Sequence, residues 1–291
     1  MCDEFTESAE DQALGRKGLT RREFAAISAA AALAACAKPS NASGRDAALK
    51  EAMVDVTTAD GRADAFFVHP TSGSYPGVII WPDIAGLREV KKQMARRLAS
   101  SGYAVLLVNQ YYRSAKAPVM TDFAEFRTPE GRAKVMGMVP LLTEDAVARD
   151  GASFATWLDA QPAVDKQRGI GTQGYCMGGP FTIRTAAAAN QRVKAAASFH
   201  GGGLVTDSPD SPHRLLGATQ ASYLIAVARN DDEKTPGAKE AFRTAATAAG
   251  RPAEIEVYPA DLGWCVPDSP AYDQAQADRA WDRLLALYAK L

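Results

Sequence analysis

The chain has 291 residues, a formal net charge of −1 and 47% hydrophobic residues, which is typical of one large globular domain or two small ones. Basic and acidic residues nearly cancel, so the composition predicts neither a nucleic-acid-binding surface nor a polyanionic tail. The four cysteines, Cys2, Cys36, Cys176 and Cys265, form no C-x-x-C pair. We therefore expect no zinc site, no disulfide framework and no organic cofactor.

Residues 1–50 are predicted to be an export leader and a polar tether. Arg21 and Arg22 precede an apolar, alanine-rich run over residues 25–35, which is too short to span a bilayer and is typical of a signal-peptide core. The pattern resembles a twin-arginine export signal, and the small residues before Cys36 resemble a lipoprotein processing box in which that cysteine is lipidated. An alanine-rich amphipathic helix is the alternative. The leader predicts an exported protein, periplasmic or held at the membrane by a lipid anchor, without a membrane span.

Residues 51–291 are predicted to form the folded domain, in which strands alternate with helices. The alternating runs Met53–Thr58 and Asp64–His69 flank Asp60-Gly61 and predict a hairpin at a sheet edge. Further strands are expected at Gly77–Trp81, Tyr103–Val108, Arg168–Thr172, Lys194–Phe199, Tyr223–Ala228 and Ala253–Tyr258. Helices are expected over residues 87–101, 143–159, 181–189, 236–249 and 271–290. This order predicts a single doubly wound, mostly parallel α/β sheet with helices on both faces.

Residues 114–140 lack a strong periodicity and contain Phe123, Phe126, Met136 and Met138. A segment of this kind beside the strand ends can cover a site. We expect its apolar side chains to pack in the core or in a lid, because such residues are more often buried than in contact with a cofactor.

The most informative motif is Gly-Thr-Gln-Gly-Tyr-Cys-Met-Gly-Gly at residues 171–179, in which glycines surround Cys176 in the pattern G-x-C-x-G-G. A side chain on a strained turn between a strand and a helix needs such small neighbours. The turn would present the sulfur at the mouth of a parallel sheet and leave the NH of Met177 able to donate to an oxyanion. The alternative is a small, inert core cysteine.

Other polar residues also follow predicted strands. In a doubly wound sheet the chemistry lies at the carboxyl ends of the strands. The residues placed there are Asp83, Arg113, Cys176, His200, Asp231 and the segment 259–265.

Taken together, residues of about 52–290 resemble the dienelactone hydrolase family of the α/β-hydrolase fold. The stretches that carry the resemblance are Gly-Tyr-Cys-Met-Gly-Gly at 174–179, Ala-Arg-Asn-Asp-Asp at 228–232 and Tyr-Pro-Ala-Asp-Leu-Gly-Trp at 258–264. The resemblance implies a cysteine nucleophile at Cys176 and an acid at Asp231. The family's histidine position is occupied by Leu262. Asp232 is the alternative acid if the register of the loop differs.

The resemblance also assigns roles around the nucleophile. Asp83 matches an acidic residue that contacts the nucleophile, and the NH of Ile84 matches the second oxyanion donor. Tyr111 and Arg113 match a segment whose arginine holds an anionic substrate group, which suits the donor geometry of a guanidinium. For Asp83 the alternative is a cap of the following helix. For Arg113 it is an ordinary solvated side chain.

Leu262 is the departure that matters most for chemistry. A thiol with a pKa of about 8.5 needs a base or a cation to form thiolate at neutral pH, and leucine is neither. The chain is then an active scaffold with a substitution, a natural non-catalytic member, or an enzyme with another base. Because an oxyanion hole still contributes when one triad member is missing, we expect strongly reduced hydrolysis.

His200 is the candidate substitute base, since it follows the strand next to the nucleophile strand. The alternative is that its ring orders the Gly201–Gly203 loop by hydrogen bonding. His69 and His213 are predicted to lie in surface turns or loops, and Cys265 is predicted to pack as a small core residue.

The sequence therefore predicts an ester or lactone hydrolase that acts on a small molecule. A non-catalytic binding protein, which keeps a small ester or carboxylate in the same pocket, is the main alternative. A thiol redox role is disfavoured, because no resolving cysteine lies near Cys176 in the sequence.

Overall fold

Eight strands form the central sheet of the computed structural model, which describes residues 48–291. The arginine pair and Cys36 of the predicted leader lie outside the described residues. The strands are β1 Leu49–Thr58, β2 Gly61–Pro70, β3 Gly77–Trp81, β4 Ala104–Val108, β5 Ile170–Tyr175, β6 Val193–Phe199, β7 Ser222–Ala228 and β8 Ala253–Tyr258. Their spatial order is β1-β2-β4-β3-β5-β6-β7-β8.

The pairing of these strands confirms the predicted fold class. β1 and β2 form an antiparallel hairpin at one edge, with Thr58 paired to Gly61, and β2 pairs antiparallel with β4. The pairs from β4 through β8 are parallel. The chain runs from β3 to β4 on one side and returns to β5 on the other, so β3 and β5 flank a topological switch point. Ligands of open α/β sheets bind at such a point, beyond the carboxyl ends of the strands.

Eight α-helices connect and cover the described strands. They are α1 Glu89–Ser100, α2 Phe123–Phe126, α3 Pro129–Met136, α4 Glu144–Asp159, α5 Gly178–Ala188, α6 Arg229–Lys234, α7 Ala238–Ala248 and α8 Gln274–Tyr288, with 3₁₀ segments at Val139–Leu141 and Pro212–Ala218. Within residues 48–291, no helix has the length and apolar character needed to cross a bilayer.

Helices α2 and α3 lie in the region that showed no periodicity in the sequence. The side chains of Asp122 and Thr128 cap them by accepting hydrogen bonds from the NH groups of Glu125 and Gly131. Helices of one or two turns are too short to produce a recognisable apolar repeat. The capping residues at their N-termini were therefore the only sequence evidence for α2 and α3.

The core lies on both faces of the sheet, as the alternation of side chains along a strand requires. In β3, Val78 and Ile80 pack on the face covered by α1 and α8, whereas Ile79 and Trp81 pack on the face covered by α4, α5 and α7. A third apolar cluster joins Ile84 to α2 at the carboxyl edge of the sheet. The segment of residues 114–140 is therefore packed over the strand ends.

The strand that leads to Cys176 extends further than the sequence predicted. It ends at Tyr175 instead of Thr172, because Gly174 still pairs with Trp81 of β3 and Tyr175 still pairs with Phe199 of β6. Pairing on both sides stabilises extended backbone through glycines whose own strand preference is low. The extension places Cys176 directly after the last paired residue.

Candidate active site

Cys176 occupies a strained turn between β5 and α5. Its φ angle is +52°, in the left-handed region that an L-residue rarely adopts. The turn is held by two backbone hydrogen bonds: the Cys176 NH donates to the Phe199 carbonyl at 3.0 Å, and the Cys176 carbonyl accepts from the Gly179 NH at 2.9 Å. This conformation confirms the turn predicted from the glycine pattern.

The glycines around Cys176 are required by the close approach of backbone. A Cβ atom at Gly174 would overlap the carbonyl group of Gly178, and one at Gly178 would lie 2.6 Å from the carbonyl oxygens of Trp81 and Pro82. The turn thus packs directly against the chain that leaves β3. As a result, Cys176 and the segment that begins at Asp83 are neighbours.

A cavity of about 280 Å³ lies at the carboxyl ends of β5 to β7. Cys176, Asp231 and Leu262 all line it, so the three positions that the sequence resemblance connected are brought together. Cys176 is buried, with 7% of its surface exposed, but its side chain borders the cavity.

Hydrogen bonds tie the segment that carries Asp231 to the segment that carries Leu262. The NH of Arg229 donates to the carbonyl of Ala260 at 2.9 Å, and the NH of Leu262 donates to the Oδ1 of Asn230 at 2.9 Å. The chain after β7 and the chain after β8 are therefore fixed to each other. A histidine at position 262 would line the same cavity as the Asp231 carboxylate.

Asp231 lies in the first turn of α6, next to hydrocarbon. Burial raises its pKa to about 6, the charge of Asp261 adds to this, and Lys234 opposes it. Its Oδ2 atom is buried and accepts no hydrogen bond within residues 48–291. Asp232, the alternative acid, is instead paired with the Nζ of Lys239 at 2.6 Å.

A second, much smaller cavity of about 10 Å³ also touches Cys176. Asp83, His200 and Leu262 are among the residues that line it. Its volume is close to that of one water molecule. Asp83 and His200, both predicted to act on the nucleophile, therefore lie close to Cys176.

His200 is buried and neutral at physiological pH. It has a φ angle of +42°, is 1% exposed, and its ring nitrogens have no hydrogen-bond partner in the described part of the chain. Burial lowers its pKa to about 3, the positive charge of Lys91 lowers it further, and Asp83 opposes both. The alternative in which the ring hydrogen-bonds the glycine loop is wrong, because the nitrogens make no such bond. It is the backbone NH of His200 that donates, to the carbonyl of Ala226.

Asp83 is buried between two cations. Its carboxylate accepts from the Nη1 of Arg88 at 2.7 Å and lies 2.8 Å from the Nζ of Lys91. Burial alone would raise the pKa of Asp83, but the charges of Arg88 and Lys91 outweigh burial and hold it well below its usual range. The helix-cap alternative is wrong: Asp83 accepts from the NH of Ala85 in the preceding turn, and α1 begins after Arg88 without a side-chain cap.

The two amides predicted to stabilise an oxyanion belong to Ile84, in the segment after β3, and to Met177, the residue after Cys176. The NH groups of Ile84 and Met177 donate to no other residue in the described chain. Both residues belong to the apolar cluster that α2 covers. The hydroxyl of Tyr111 donates to the carbonyl of Ile84 at 2.8 Å and thereby fixes the orientation of that peptide.

Tyr111 and Arg113 do not line either cavity at Cys176. Tyr111 is buried at the Ile84 carbonyl, and Arg113 binds the carboxylate of Asp150 at 2.8 Å and that of Asp60. The guanidinium that the resemblance assigned to substrate thus already holds two carboxylates of the protein.

Sequence reasoning missed Arg88 and Lys91. Both are essentially unexposed, although basic residues in an amphipathic helix are normally solvated. Their burial follows from Asp83, whose charge in an apolar site requires a partner. The only sequence signal was the acidic residue that follows β3.

The other two histidines and Cys265 are held by hydrogen bonds or by packing. His69 and His213 are partly buried and hydrogen-bond through Nδ1 to the Pro70 carbonyl and the Ser211 hydroxyl. Cys265 is a buried core residue, as predicted. Within residues 48–291, no group of three or more acidic, histidine or cysteine side chains is arranged to hold a metal ion.

The sequence model of the dienelactone hydrolase family matches residues 63–291. The chain belongs to the dienelactone hydrolase family. It is 28% identical over 251 residues to a Salmonella typhi protein named "putative carboxymethylenebutenolidase", covering 84% of this chain and 89% of that one. A protein of the same name from Escherichia coli strain K12 is 28% identical over 246 residues, covering 82% and 87%.

Solved structures support the same family fold. A "putative dienelactone hydrolase" from Klebsiella pneumoniae is 26% identical, with a TM-score of 0.72 over 84% of this chain and all of that one. A dienelactone hydrolase-like promiscuous phosphotriesterase from metagenomic libraries is 23% identical, with a TM-score of 0.69 over 84% and 99% of the two chains. At this level of identity, the similarity shows a shared α/β fold.

Proposed function

We propose that this dienelactone hydrolase family member hydrolyses carboxylic esters or lactones with Cys176 as nucleophile. The observation that carries the proposal is the left-handed turn that holds Cys176 at a cavity also lined by Asp231 and Leu262. A thiolate at this position attacks the carbonyl carbon, and the C=O electron pair moves to oxygen. Collapse then breaks the bond to the leaving oxygen and forms an acyl thioester, and the released alkoxide takes a proton from solvent water to become the alcohol. Water attacks the thioester carbon and releases the acid and the thiol.

The developing oxyanion would be stabilised by the NH groups of Met177 and Ile84. Both amides donate to no other described residue, and the packing of Gly178 against Trp81 and Pro82 brings their segments together. Preorganised amide donors are among the largest contributions to acyl transfer. They operate whether or not a base is present.

Turnover should be slow, because a leucine occupies position 262, which lines the same cavity as Cys176 and Asp231. Leu262 can neither take the thiol proton nor protonate the leaving alcohol, and the neutral His200 ring is shielded. General acid–base catalysis by a positioned side chain contributes about 10²–10⁴-fold. We expect hydrolysis reduced by a factor of this order relative to a family member with a histidine here.

The test is the hydrolysis of p-nitrophenyl acetate by the full chain, with intact-mass analysis of the protein during the reaction. We expect slow p-nitrophenol release and an acetyl adduct on Cys176. The Cys176→Ala variant should lose both, whereas Cys265→Ala, which removes another buried thiol, should keep both. Equal activity of Cys176→Ala and the parent would overturn the proposal.

A binding protein is the second candidate, favoured by the leucine that lines the cavity together with Cys176 and Asp231. In that case the cavity would hold a small ligand without turnover. An unmodified Cys176 after exposure to the activated ester, together with saturable binding of that ester's stable amide, would favour this alternative. A long-lived adduct would instead indicate chemistry stalled at the thioester.

We also propose that residues 1–50 export the protein and that Cys36 carries a lipid anchor. The support is the arginine pair and the small residues before Cys36. Fractionation of bacterial cells expressing the chain should find it outside the cytoplasm. Replacing Arg21 and Arg22 by lysine should retain it inside, and Cys36→Ser should release it from the membrane fraction.

A further inference from the structure

The wall of the larger cavity is mainly apolar. Leu204 and Val205 contribute from the loop after β6, Ile225 and Val227 from β7, and Phe242 from α7. These side chains come from three separate elements and surround the space next to Cys176. A ligand group that fills this space moves from water into hydrocarbon surroundings. This transfer favours apolar groups.

The charged groups at this cavity offer an anion no net attraction. Asp231, Asp232, Lys234 and Lys239 line it, and their formal charges sum to zero. The Nζ of Lys239 is held by both oxygens of Asp232, at 2.6 and 2.8 Å. Lys234 is exposed at the solvent edge. The Oδ2 of Asp231 is buried and accepts no hydrogen bond within the described chain.

No arginine is among the described residues that line the cavity. The guanidinium of Arg113 is held by the Asp150 and Asp60 carboxylates instead. A carboxylate-bearing substrate would therefore meet hydrocarbon and the unpaired oxygen of Asp231. A buried like-charge contact of this kind is strongly unfavourable.

We propose that the cavity selects esters whose acyl group is uncharged and apolar, and that it excludes acyl groups carrying a carboxylate. The proposal rests on the ester hydrolysis proposed above and adds the substrate class. The cavity should accept one of two acyl groups of equal length better than the other. The preferred acyl group ends in a methyl group, and the disfavoured one ends in a carboxylate. Asp231 and the apolar wall act together in this discrimination.

The kinetic test compares p-nitrophenyl butyrate with mono-p-nitrophenyl succinate, after subtraction of the spontaneous rates. We expect kcat/KM to be at least about tenfold higher for the butyrate ester. Val205 is partly exposed at the cavity, so Val205→Lys can add a cation there without emptying the core. This variant should lower the ratio of kcat/KM for the butyrate ester to kcat/KM for the succinate ester. Val205→Met, whose side chain is of similar length but uncharged, should leave that ratio unchanged.

A binding test separates the substrate class from turnover. Butyramide and succinamate are unreactive analogues of the two acyl groups, and each can protect Cys176 from iodoacetamide. We expect butyramide to protect at a concentration at least about tenfold lower. Equal or better protection by succinamate, or equal hydrolysis of the two esters, would overturn the proposed selectivity. If neither ester is hydrolysed, the proposed function fails, and the protection experiment still decides which acyl group the cavity accepts.

Discussion

The Nζ of Lys91 lies 2.8 Å from the Oδ2 of Asp83, and neither side chain is more than 3% exposed. Arg88 binds the same carboxylate at 2.7 Å and also contacts Asp268 at 2.7 Å. Asp268 in turn accepts from the NH of Phe123 in α2. This charged cluster therefore connects the segment that begins at Asp83, the loop after β8 and helix α2.

Removing the charge of Asp83 should strongly destabilise the protein. In Asp83→Asn the ammonium of Lys91 loses its carboxylate in a buried site, and breaking a buried ion pair costs about 3–5 kcal/mol. Urea unfolding should show a loss of this order in the free energy of unfolding. The matched control is Asp278→Asn, because Asp278 pairs with Arg97 at 3.2 Å and both side chains are about half exposed. That change should cost less than about 1 kcal/mol. Equal effects of the two variants would contradict the assigned role of the cluster.

A methyl group at the turn that carries Cys176 should be poorly tolerated. The Cβ of Gly178→Ala would lie 2.6 Å from two carbonyl oxygens, and backbone cannot move aside cheaply. Overpacking of this kind costs about 1–3 kcal/mol, and the displaced turn should also abolish acylation of Cys176. Gly202→Ala is the control, since a Cβ there meets nothing within 4 Å. Thermal unfolding and adduct mass measure the two effects, and full acylation in Gly178→Ala would argue against a tightly packed turn.

Introducing histidine at position 262 should increase turnover. Leu262→His would place an imidazole at the cavity that Asp231 and Cys176 line, where the carboxylate can orient it as the base for Cys176. We expect kcat to rise by about 10²–10⁴-fold on p-nitrophenyl acetate. Leu262→Gln supplies a polar side chain without a base and should give no comparable gain. If histidine and glutamine behave alike, the missing base is not what limits the enzyme.

The stability of the protein should respond to the ionisation of Asp231. Its pKa is raised to about 6, above the ordinary value of 3.8, so the folded chain retains a proton that the unfolded chain has lost between these pH values. Stability contributed by this group is therefore present at low pH, falls as pH rises through this window, and is constant above it. Compared with the parent, the Asp231→Asn variant should gain about 2–3 kcal/mol in the free energy of unfolding between pH 4 and pH 8. Urea unfolding of parent and variant at both pH values measures this, and a pH-independent difference would contradict the raised pKa.

The two cysteines of the folded domain should differ in reactivity. Burial raises the pKa of the Cys265 thiol far above neutrality, whereas Cys176 lines the larger cavity. Thiolate is the reactive form, so iodoacetamide at pH 8 should modify Cys176 and spare Cys265 in the folded protein. Peptide mapping distinguishes the sites, and unfolding in urea should expose both. Labelling of Cys265 at a comparable rate in the folded state would disprove this difference.

Much of the fold could be predicted because its signals are local. The strands Gly77–Trp81 and Ala253–Tyr258 coincide with their predicted bounds, since short apolar or β-branched runs are readable within a few residues. The short helices α2 and α3 gave no periodic signal. Strand β5 was predicted too short because its glycines are kept extended by neighbouring strands rather than by their own preference.

Some features of the candidate site could likewise be predicted from the sequence, and others could not. The glycine pattern around Cys176 determined a strained turn, because the conformation of a turn depends on the residues within it. Asp231 and Leu262 were singled out because their segments resemble those of the dienelactone hydrolase family. The partners of Arg113 could not be predicted, since Asp60 and Asp150 lie 53 and 37 residues away in the chain and meet it only in the folded domain.

By itself, then, the sequence determined the α/β-hydrolase fold, the turn at Cys176 and the presence of a leucine at position 262. Only the tertiary structure decided which charges are buried and which are solvated. It placed Lys91 and Arg88 at Asp83, shielded the nitrogens of His200, and left the cavity at Cys176 apolar. Burial and charge pairing depend on what the rest of the chain places around a side chain, and no local pattern contains that information.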